Sequence, residues 1–137
     1  MHIVNIEPQQ LFQALSDFTR LRVVRLLATS KDEACLCELS QCLGEPEYKL
    51  SRHLKQLRQS GLLSAEKDGR WIYHSLPFAE APLNELFRFV MKIPDSTGIF
   101  SKDLSEFQKR VAARMGERCR INLKEAVQPK KSKRVRN

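Results

Sequence analysis

Long apolar runs are absent from this sequence of 137 residues. No segment approaches the roughly 18 consecutive apolar residues that a membrane-spanning helix needs. Residues 1–10 also lack a basic stretch followed by an apolar run, so no secretory signal is recognised. We therefore expect a cytoplasmic protein with no membrane partner.

Residue sets typical of enzymes are lacking as well. No Ser/His/Asp set, phosphate-binding loop or pair of carboxylates at a useful spacing is visible. The three histidines, His2, His53 and His74, are scattered, which is typical of packing or solvation. We do not expect an enzyme. The four cysteines are interpreted as reduced thiols, because the length permits a core that needs neither disulfides nor a structural cofactor.

Basic residues outnumber acidic ones, giving a net charge of +8, but they are unevenly distributed. The segment behind Pro129 carries five Lys and Arg residues and no acid, as in a disordered arm. Such an arm could attract phosphates or simply be solvated. We predict a main domain over residues 1–93, a helical extension over 94–128 and a basic disordered tail over 129–137.

Apolar residues at helical spacing predict four helices in the first half of the chain. The first contains Leu11 and Leu15, and Thr19 is the predicted N-cap of the second, whose arginines, Arg22 among them, are expected on the surface. A short third helix is predicted from Cys35 to Leu43, where Gly44 ends it.

The fourth helix, predicted from Pro46 to Ser60, has two unlike faces. Leu50, Leu54 and Leu57 repeat at the spacing of one buried face. The opposite face is rich in hydrogen-bond donors, as a helix that reads the major groove of DNA requires. Its candidate DNA-contacting residues are Tyr48, Lys49, Ser51, Arg52, His53, Lys55 and Gln56.

A β-hairpin follows this helix. Asp68-Gly69 is a strong turn signal and predicts a type I′ turn, in which both central residues have positive φ. Lys67 and Arg70 flank the turn and are candidate DNA contacts, whereas Trp71 and Tyr73 are expected to pack the hairpin. Further helices are predicted from Leu83 to Ile93 and up to about Gly116. The fold class is therefore mainly α with a β-hairpin, a winged helix-turn-helix.

Several separated motifs resemble the ArsR/SmtB family of metal-responsive repressors. The resemblance covers residues 10 to 93 in order, and it implies a homodimer on a partly palindromic operator in double-stranded DNA that an inducer releases. Two departures are Phe18, where the family usually has Pro, and a segment before the fourth helix without the usual Ser-Gln pair. The motifs are Ala14–Asp17, Thr19–Arg22, Leu50–Leu57, Gly61–Leu63 and Asp68–Tyr73.

Cys35-Leu36-Cys37-Glu38-Leu39 is similar to an element of the arsenite-responsive and cadmium/lead-responsive members. Thiolates select soft ions, and the start of a helix favours the thiolate form. Residues i and i+2 lie about 200° apart on an ideal helix. We therefore expect that one ion takes both thiolates only by unwinding this turn, which would shift the fourth helix and weaken its hold on DNA.

The third ligand that arsenite prefers remains open between three sources. Cys119 lies in a segment similar to the Arg-x-Gly-x-x-Cys ending of longer arsenic-type members, but it is equally well read as a stray thiol. Cys42 is interpreted mainly as a packing residue, and the remaining source is an external thiol.

The inducer predicted from this resemblance is arsenite or antimonite. Zinc and nickel sensors of the family carry His on the last dimer helix, and residues 80–93 contain none. Cadmium/lead sensors carry further cysteines near the N-terminus, and residues 2–11 contain none. A cadmium/lead-type repressor or a thiol-redox sensor are the alternatives.

A pair of reading helices about one DNA turn apart gives useful specificity, which favours a homodimer. Candidate interface residues lie on the first helix and on the helix from Leu83 to Ile93, unless they only complete the core of one chain. A rival function is a winged helix that binds a protein through the same face, with no salt-dependent affinity for DNA. The interface candidates are Leu11, Leu15, Leu86, Phe87 and Val90.

Overall fold

The computed structural model describes residues 7–114. Over this range it confirms a mainly helical chain with a β-hairpin between its fourth and fifth helices. No helix among the described residues is long and apolar enough to cross a membrane. The elements are α1 (Pro8–Leu15), α2 (Phe18–Ser30), β1 (Ala34–Cys35), α3 (Leu36–Leu43), α4 (Glu47–Gln59), β2 (Ser64–Asp68), β3 (Trp71–Ser75), α5 (Leu83–Met91) and α6 (Ile99–Ala112).

The start of α2 differs from the prediction, and Thr19 is not its N-cap. Asp17 has extended backbone and its Oδ2 accepts from the backbone N–H of Arg20 at 3.0 Å. A carboxylate at this position satisfies one of the free N–H groups of the first turn and interacts favourably with the helix dipole. Because Phe18 is already helical, Thr19 lies inside the first turn.

The helix-turn-helix comprises α3, a short turn and α4. Gly44 ends α3 in the left-handed conformation, with φ of 70°, which glycine adopts without steric cost. Pro46 and Ser60 are the two caps of α4, so the predicted bounds are confirmed. Leu50, Leu54 and Leu57 are buried, and they direct the polar face of α4 outward.

The hairpin turn lies one residue later than predicted. Asp68 pairs with Trp71, so the two-residue loop consists of Gly69 and Arg70. Gly69 has a φ of 66°, and it is the only residue of this turn with positive φ. The prediction of two positive φ angles was therefore wrong, because Asp68 remains in the extended conformation of β2.

A third strand, β1, was missed because two residues are too few to show a periodic pattern. It pairs antiparallel with β3, with Ala34 opposite His74 and Cys35 opposite Tyr73. The strand order is β1-β3-β2, which places β3 in the centre. The cysteine segment is thus hydrogen-bonded directly to the wing, which we define as the hairpin of β2 and β3.

The arginines of α2, predicted on the surface, are all engaged with other elements. Arg22 is buried and forms a two-pronged ion pair with Asp103 of α6, at 2.9 Å from Nε and 2.8 Å from Nη2. Its Nη2 also donates to the carbonyl of Leu43, the last residue of α3, at 3.0 Å. Arg25 donates to the carbonyl oxygens of Val90 and Ile93 at the end of α5.

The hydrophobic core is shared by all six helices. Phe87 and Val90 of α5 and Phe107 of α6 are buried in the same cluster as the leucines of α4. Helix α6 packs against both α2 and α3. The described part of the predicted extension therefore closes the core over the helix-turn-helix.

Candidate nucleic-acid interface and thiol pair

The outer face of α4 presents a row of exposed polar side chains. Tyr48 is 70% exposed and stands at the start of the row, although it is large enough to pack in a core. Such a surface offers cationic groups for phosphates and planar donors for base edges. Of the predicted contacts on α4, those exposed are Tyr48, Lys49, Ser51, Arg52, Lys55 and Gln56.

His53 and Gln56 differ from the other residues of this face because they hold α4 against α2. Arg20 donates from Nη1 to Nδ1 of half-buried His53 at 3.2 Å, and also to Oε1 of Gln56. Its Nε donates to the carbonyl of Ala14 at 2.7 Å. Arg20 thus joins α1, α2 and α4. This role was missed, since contacts between residues so distant in sequence leave no local pattern.

The wing brings two cations to its tip. Lys67 and Arg70 are exposed on opposite sides of Gly69, as predicted from the turn motif. Tyr73 is buried and Trp71 is half-buried in the same cluster, as expected of residues that pack the hairpin. The row on α4 and the tip of the wing thus provide two basic, exposed surfaces on one unit.

The thiols of Cys35 and Cys37 converge, contrary to the expectation from ideal helix geometry. Their Sγ atoms are 3.1 Å apart. The reason is that Cys35 is the N-cap of α3, with extended φ and ψ of −94° and 167°, rather than a helical residue. The direction of its side chain is therefore not set by the rotation of about 100° per residue in a helix. Both cysteines pack with Tyr73 and Trp71.

Glu38, next to the thiol pair, is a fully buried acid. Its Oε1 accepts from the backbone N–H of Cys35 at 3.1 Å, as in a capping box. Arg114 at the end of α6 grips the same carboxylate, from Nε to Oε2 at 2.8 Å and from Nη2 to Oε1 at 2.9 Å. Arg114 Nη2 also donates to the carbonyl of Glu33 at 2.6 Å. This pair was not predicted from the sequence.

A cavity of about 370 Å³ adjoins the thiols. It lies between α4 and the wing, and its lining includes Cys35, Cys37, Ser51, Arg70 and Trp71. Both cysteines therefore border a cavity although little of either side chain is exposed.

Other candidate ligands are placed differently. Cys42 is buried in the core, and burial raises the pKa of its thiol to about 12, as expected for a packing residue. Cys119 lies outside the described residues. Within residues 7–114, no group of three or more His, Cys, Asp or Glu side chains could hold a metal ion.

The predicted dimer residues divide into two groups. Phe87 and Val90 are buried inside the single chain and have no surface to offer a partner. Leu11, Leu15 and Leu86 are half-buried on α1 and α5. Two aromatic residues on the same helices that the sequence analysis did not select, Phe12 and Phe89, are each 64% exposed. A mainly apolar groove lies between α1 and α5 and is lined by Pro8, Leu11, Phe12, Pro82, Leu83, Glu85 and Leu86.

Two helices joined by a tight turn, a polar outer face on the second helix and a wing that pairs with a third strand define a winged helix-turn-helix transcriptional regulator. Residues 17–65 match the family described as "Bacterial regulatory protein, arsR family". The chain belongs to the ArsR family of bacterial regulatory proteins. The fold is also that of HlyU from Vibrio cholerae N16961, with a TM-score of 0.51 and 26% identity over 65% of this chain and 97% of that one.

Curated relatives agree with this assignment. The arsenic resistance transcriptional regulator ArsR2 of Pseudomonas putida is 45% identical over 71 residues, 52% of this chain and 61% of that protein. The arsenical resistance operon repressor of Escherichia coli K12 is 46% identical over 69 residues, 50% of this chain and 58% of that protein. An uncharacterized HTH-type regulator of Methanocaldococcus jannaschii is 34% identical over 65 residues, 47% of this chain and 72% of that protein. The chain thus spans about 60% of the length of the first two.

Proposed function

We propose that the protein is a DNA-binding repressor of an arsenic-resistance operon, released from its operator when arsenite or antimonite binds the thiols of Cys35 and Cys37. The observation that carries this proposal is the 3.1 Å separation of the two Sγ atoms at the start of α3, the helix that precedes the reading helix α4. Relatives named as arsenic resistance regulators support the choice of ion.

The DNA-binding part of the proposal assigns α4 to the major groove and the wing tip to the flanking backbone. Ser51, Arg52 and Lys55 are exposed on the outer face and are the proposed base and phosphate contacts, together with Tyr48 and Lys49. Lys67 and Arg70 are the proposed wing contacts. His53 and Gln56, engaged by Arg20, would contribute mainly by fixing the angle of α4.

A homodimer would place two reading helices on the two half-sites of an operator. The groove between α1 and α5 and the exposed Phe12 and Phe89 support an interface on these helices, with Leu11, Leu15 and Leu86 beside them. Dimerisation would bury this apolar surface and so is favoured by the hydrophobic effect.

Ion binding would need little rearrangement of the thiols. With bonds of ~2.3 Å and near-tetrahedral angles, as in zinc–thiolate sites, two thiolates on one ion stand about 3.8 Å apart. The pair would therefore spread by about 0.7 Å from its present 3.1 Å, without the unwinding of α3 expected from an ideal helix.

The shift would act on two elements at once. Cys35 pairs with Tyr73 in the centre of the sheet, so its movement pulls on β3 of the wing. Cys37 lies in the first turn of α3, which leads through Gly44 to α4. Release of DNA requires only that the ion binds the DNA-free arrangement more tightly than the DNA-bound one.

Arsenite prefers three thiolates, each replacing one hydroxyl of arsenous acid as water leaves. We propose Cys119 as the third ligand. It follows Arg114 by five residues, a stretch of chain that spans at most about 17 Å, and Arg114 contacts Glu38 beside the thiol pair. An external thiol and Cys42 are the other candidates, and the place of Cys42 in the core cluster favours a packing role for it.

The test is a mobility-shift assay on the DNA upstream of the gene, with arsenite, cadmium and peroxide added separately. We expect arsenite to release the protein from this DNA. The variant Cys35→Ser with Cys37→Ser should bind DNA normally and resist release. Cys42→Ala, which removes a thiol from the same helix, is the matched control and should respond as the unaltered chain does.

Each alternative has its own outcome. Release of the double serine variant by arsenite would refute the assignment of the thiols. Release of the unaltered chain by cadmium alone, or by peroxide alone, would replace arsenite with a cadmium-type or a redox response. Failure to bind DNA at any salt concentration would favour a protein partner for the face of α4.

A further inference from the structure

Two ion pairs between buried side chains connect α6 and the residues after it to the two ends of α3. At the end of α3, Asp103 binds Arg22, which in turn donates to the carbonyl of Leu43. At the start of α3, Arg114 binds Glu38. Asp103 lies within α6, and Arg114 lies two residues beyond its end, 11 positions further along the chain. The two pairs therefore act on separate places.

The pair at the start of α3 encloses the segment that carries Cys35. Arg114 donates to the carbonyl of Glu33 before this segment and to the carboxylate of Glu38 after it. The same carboxylate accepts from the N–H of Cys35. One guanidinium and one carboxylate thus fix the backbone of Cys35 from both sides.

This backbone conformation is what brings the sulfurs together. An α-helical Cys35 would direct its side chain about 200° away from that of Cys37. The extended N-cap conformation instead leaves 3.1 Å between the Sγ atoms. Whatever maintains this conformation therefore sets the geometry that an ion meets.

We propose that Glu38 and Arg114 are positioning residues of the thiol site. Arg114 orients the Glu38 carboxylate, and the carboxylate holds Cys35 as an extended N-cap so that the two thiols converge on one ion. This inference rests on the proposed function for the identity of the ion, but convergence of the thiols can be measured without it.

The experiment compares Arg114→Gln with Asp103→Asn in the full chain. Both variants break an ion pair that involves the same helix, but only the first touches the thiol segment. Convergence is measured as the rate of reaction with phenylarsine oxide, which needs two neighbouring thiols, relative to the rate with iodoacetamide, which needs one. Two further quantities are measured in parallel. One is the arsenite concentration that releases half of the protein from DNA, and the other is the operator affinity without arsenite.

We expect Arg114→Gln to lower the relative rate with phenylarsine oxide and to raise the arsenite needed for release by about 10-fold or more, the usual effect of losing such support around an ion site. Operator affinity should change far less. Asp103→Asn should leave the relative rate unaltered. Arg114→Lys keeps the charge but cannot make the forked contacts, so it should resemble Arg114→Gln.

Equal effects of Arg114→Gln and Asp103→Asn on the relative rate, or no effect of either, would overturn the proposal. If Arg114→Gln does not fold, Arg114→Lys decides by the same comparison. If the unaltered chain is not released by arsenite, the proposed function fails. The phenylarsine oxide comparison still decides whether Glu38 and Arg114 position the thiols.

Discussion

Arg58 on α4 donates from Nη1 to Nε2 of His74 on β3, at 3.1 Å. Arginine has no acceptor, so this nitrogen of His74 must be the unprotonated one and the imidazole must be neutral. The bond joins the reading helix to the central strand of the wing. It makes the relation between these two elements sensitive to the protonation of a single buried ring.

The first prediction concerns the effect of low pH on the stability of the fold. Burial, with a contribution from the charge of Arg58, lowers the pKa of His74 to about 4. In the unfolded chain the ring has its ordinary pKa near 6.5, so the unfolded state takes up the proton first as the pH falls. The contribution of His74 to the free energy of unfolding is therefore fully present above about pH 6.5. It is lost progressively as the pH falls toward about 4.

We expect His74 to account for about 2 kcal/mol of the stability lost between pH 8 and pH 5. Urea denaturation of the unaltered chain and of His74→Gln at both pH values measures this difference. The same measurement on His53→Gln, which removes another imidazole that accepts from an arginine, separates the part of the loss that belongs to His74. An unchanged pH dependence in His74→Gln would contradict the assignment.

The second prediction concerns the thiol in the core. Because burial raises the pKa of Cys42 to about 12, its thiolate is scarce at neutral pH. Under native conditions iodoacetamide should modify Cys42 far more slowly than in urea, as measured by mass spectrometry of peptides. Modification of Cys42 in the folded chain as rapid as in urea would contradict its place in the core.

The third prediction concerns the ion pair between α2 and α6. Replacing Asp103 by Ala removes the two-pronged partner of buried Arg22 and leaves the carboxylate of Glu45 at 3.9 Å, so we expect a loss of about 3 kcal/mol in the free energy of unfolding. Urea denaturation measures it. Arg22→Met combined with Asp103→Leu should cost less than Asp103→Ala alone, and a greater cost for the pair would show that the charge itself was not the reason.

The fourth prediction concerns the wing tip. If Lys67 and Arg70 each neutralise one phosphate, replacing both by Ala should reduce the steepness of log affinity against log salt concentration by about 2. Titrations of operator DNA at several salt concentrations measure this slope. Lys102→Ala, on the exposed side of α6, is the control. A slope that stays the same after both wing substitutions would exclude phosphate contacts by the wing.

Local patterns in the sequence predicted much of this fold. The spacing of Leu50, Leu54 and Leu57 placed α4 and its buried face correctly, because a helix repeats within a few residues. The Asp68-Gly69 pair located the hairpin, although not the residues of its turn. These features depend on neighbours in the chain, which the sequence displays directly.

The geometry of the thiol site depends on contacts that no local pattern contains. Cys35 lies at the junction of a two-residue strand and a helix. Neither the strand nor the helix periodicity therefore predicts the direction of its side chain. Glu38 and Arg114 are 76 positions apart, and Arg22 and Asp103 are 81 apart. Long-range pairs of this kind follow from the packing of α6. The candidate cysteines could therefore be named from the sequence, but the distance between their Sγ atoms could not be predicted.

The position of α6 also bears on how short a working version of this protein can be made. Arg22 and Glu38 lie within the segment of residues 17–65 that defines the family, but their partners Asp103 and Arg114 do not. A fragment that ends at residue 93 would keep Arg22 and Glu38 but would lack Asp103 and Arg114. Two buried charged side chains would therefore lose ion-pair partners. The smallest unit able to fold as described here therefore extends to Arg114, well beyond the segment by which the family is recognised.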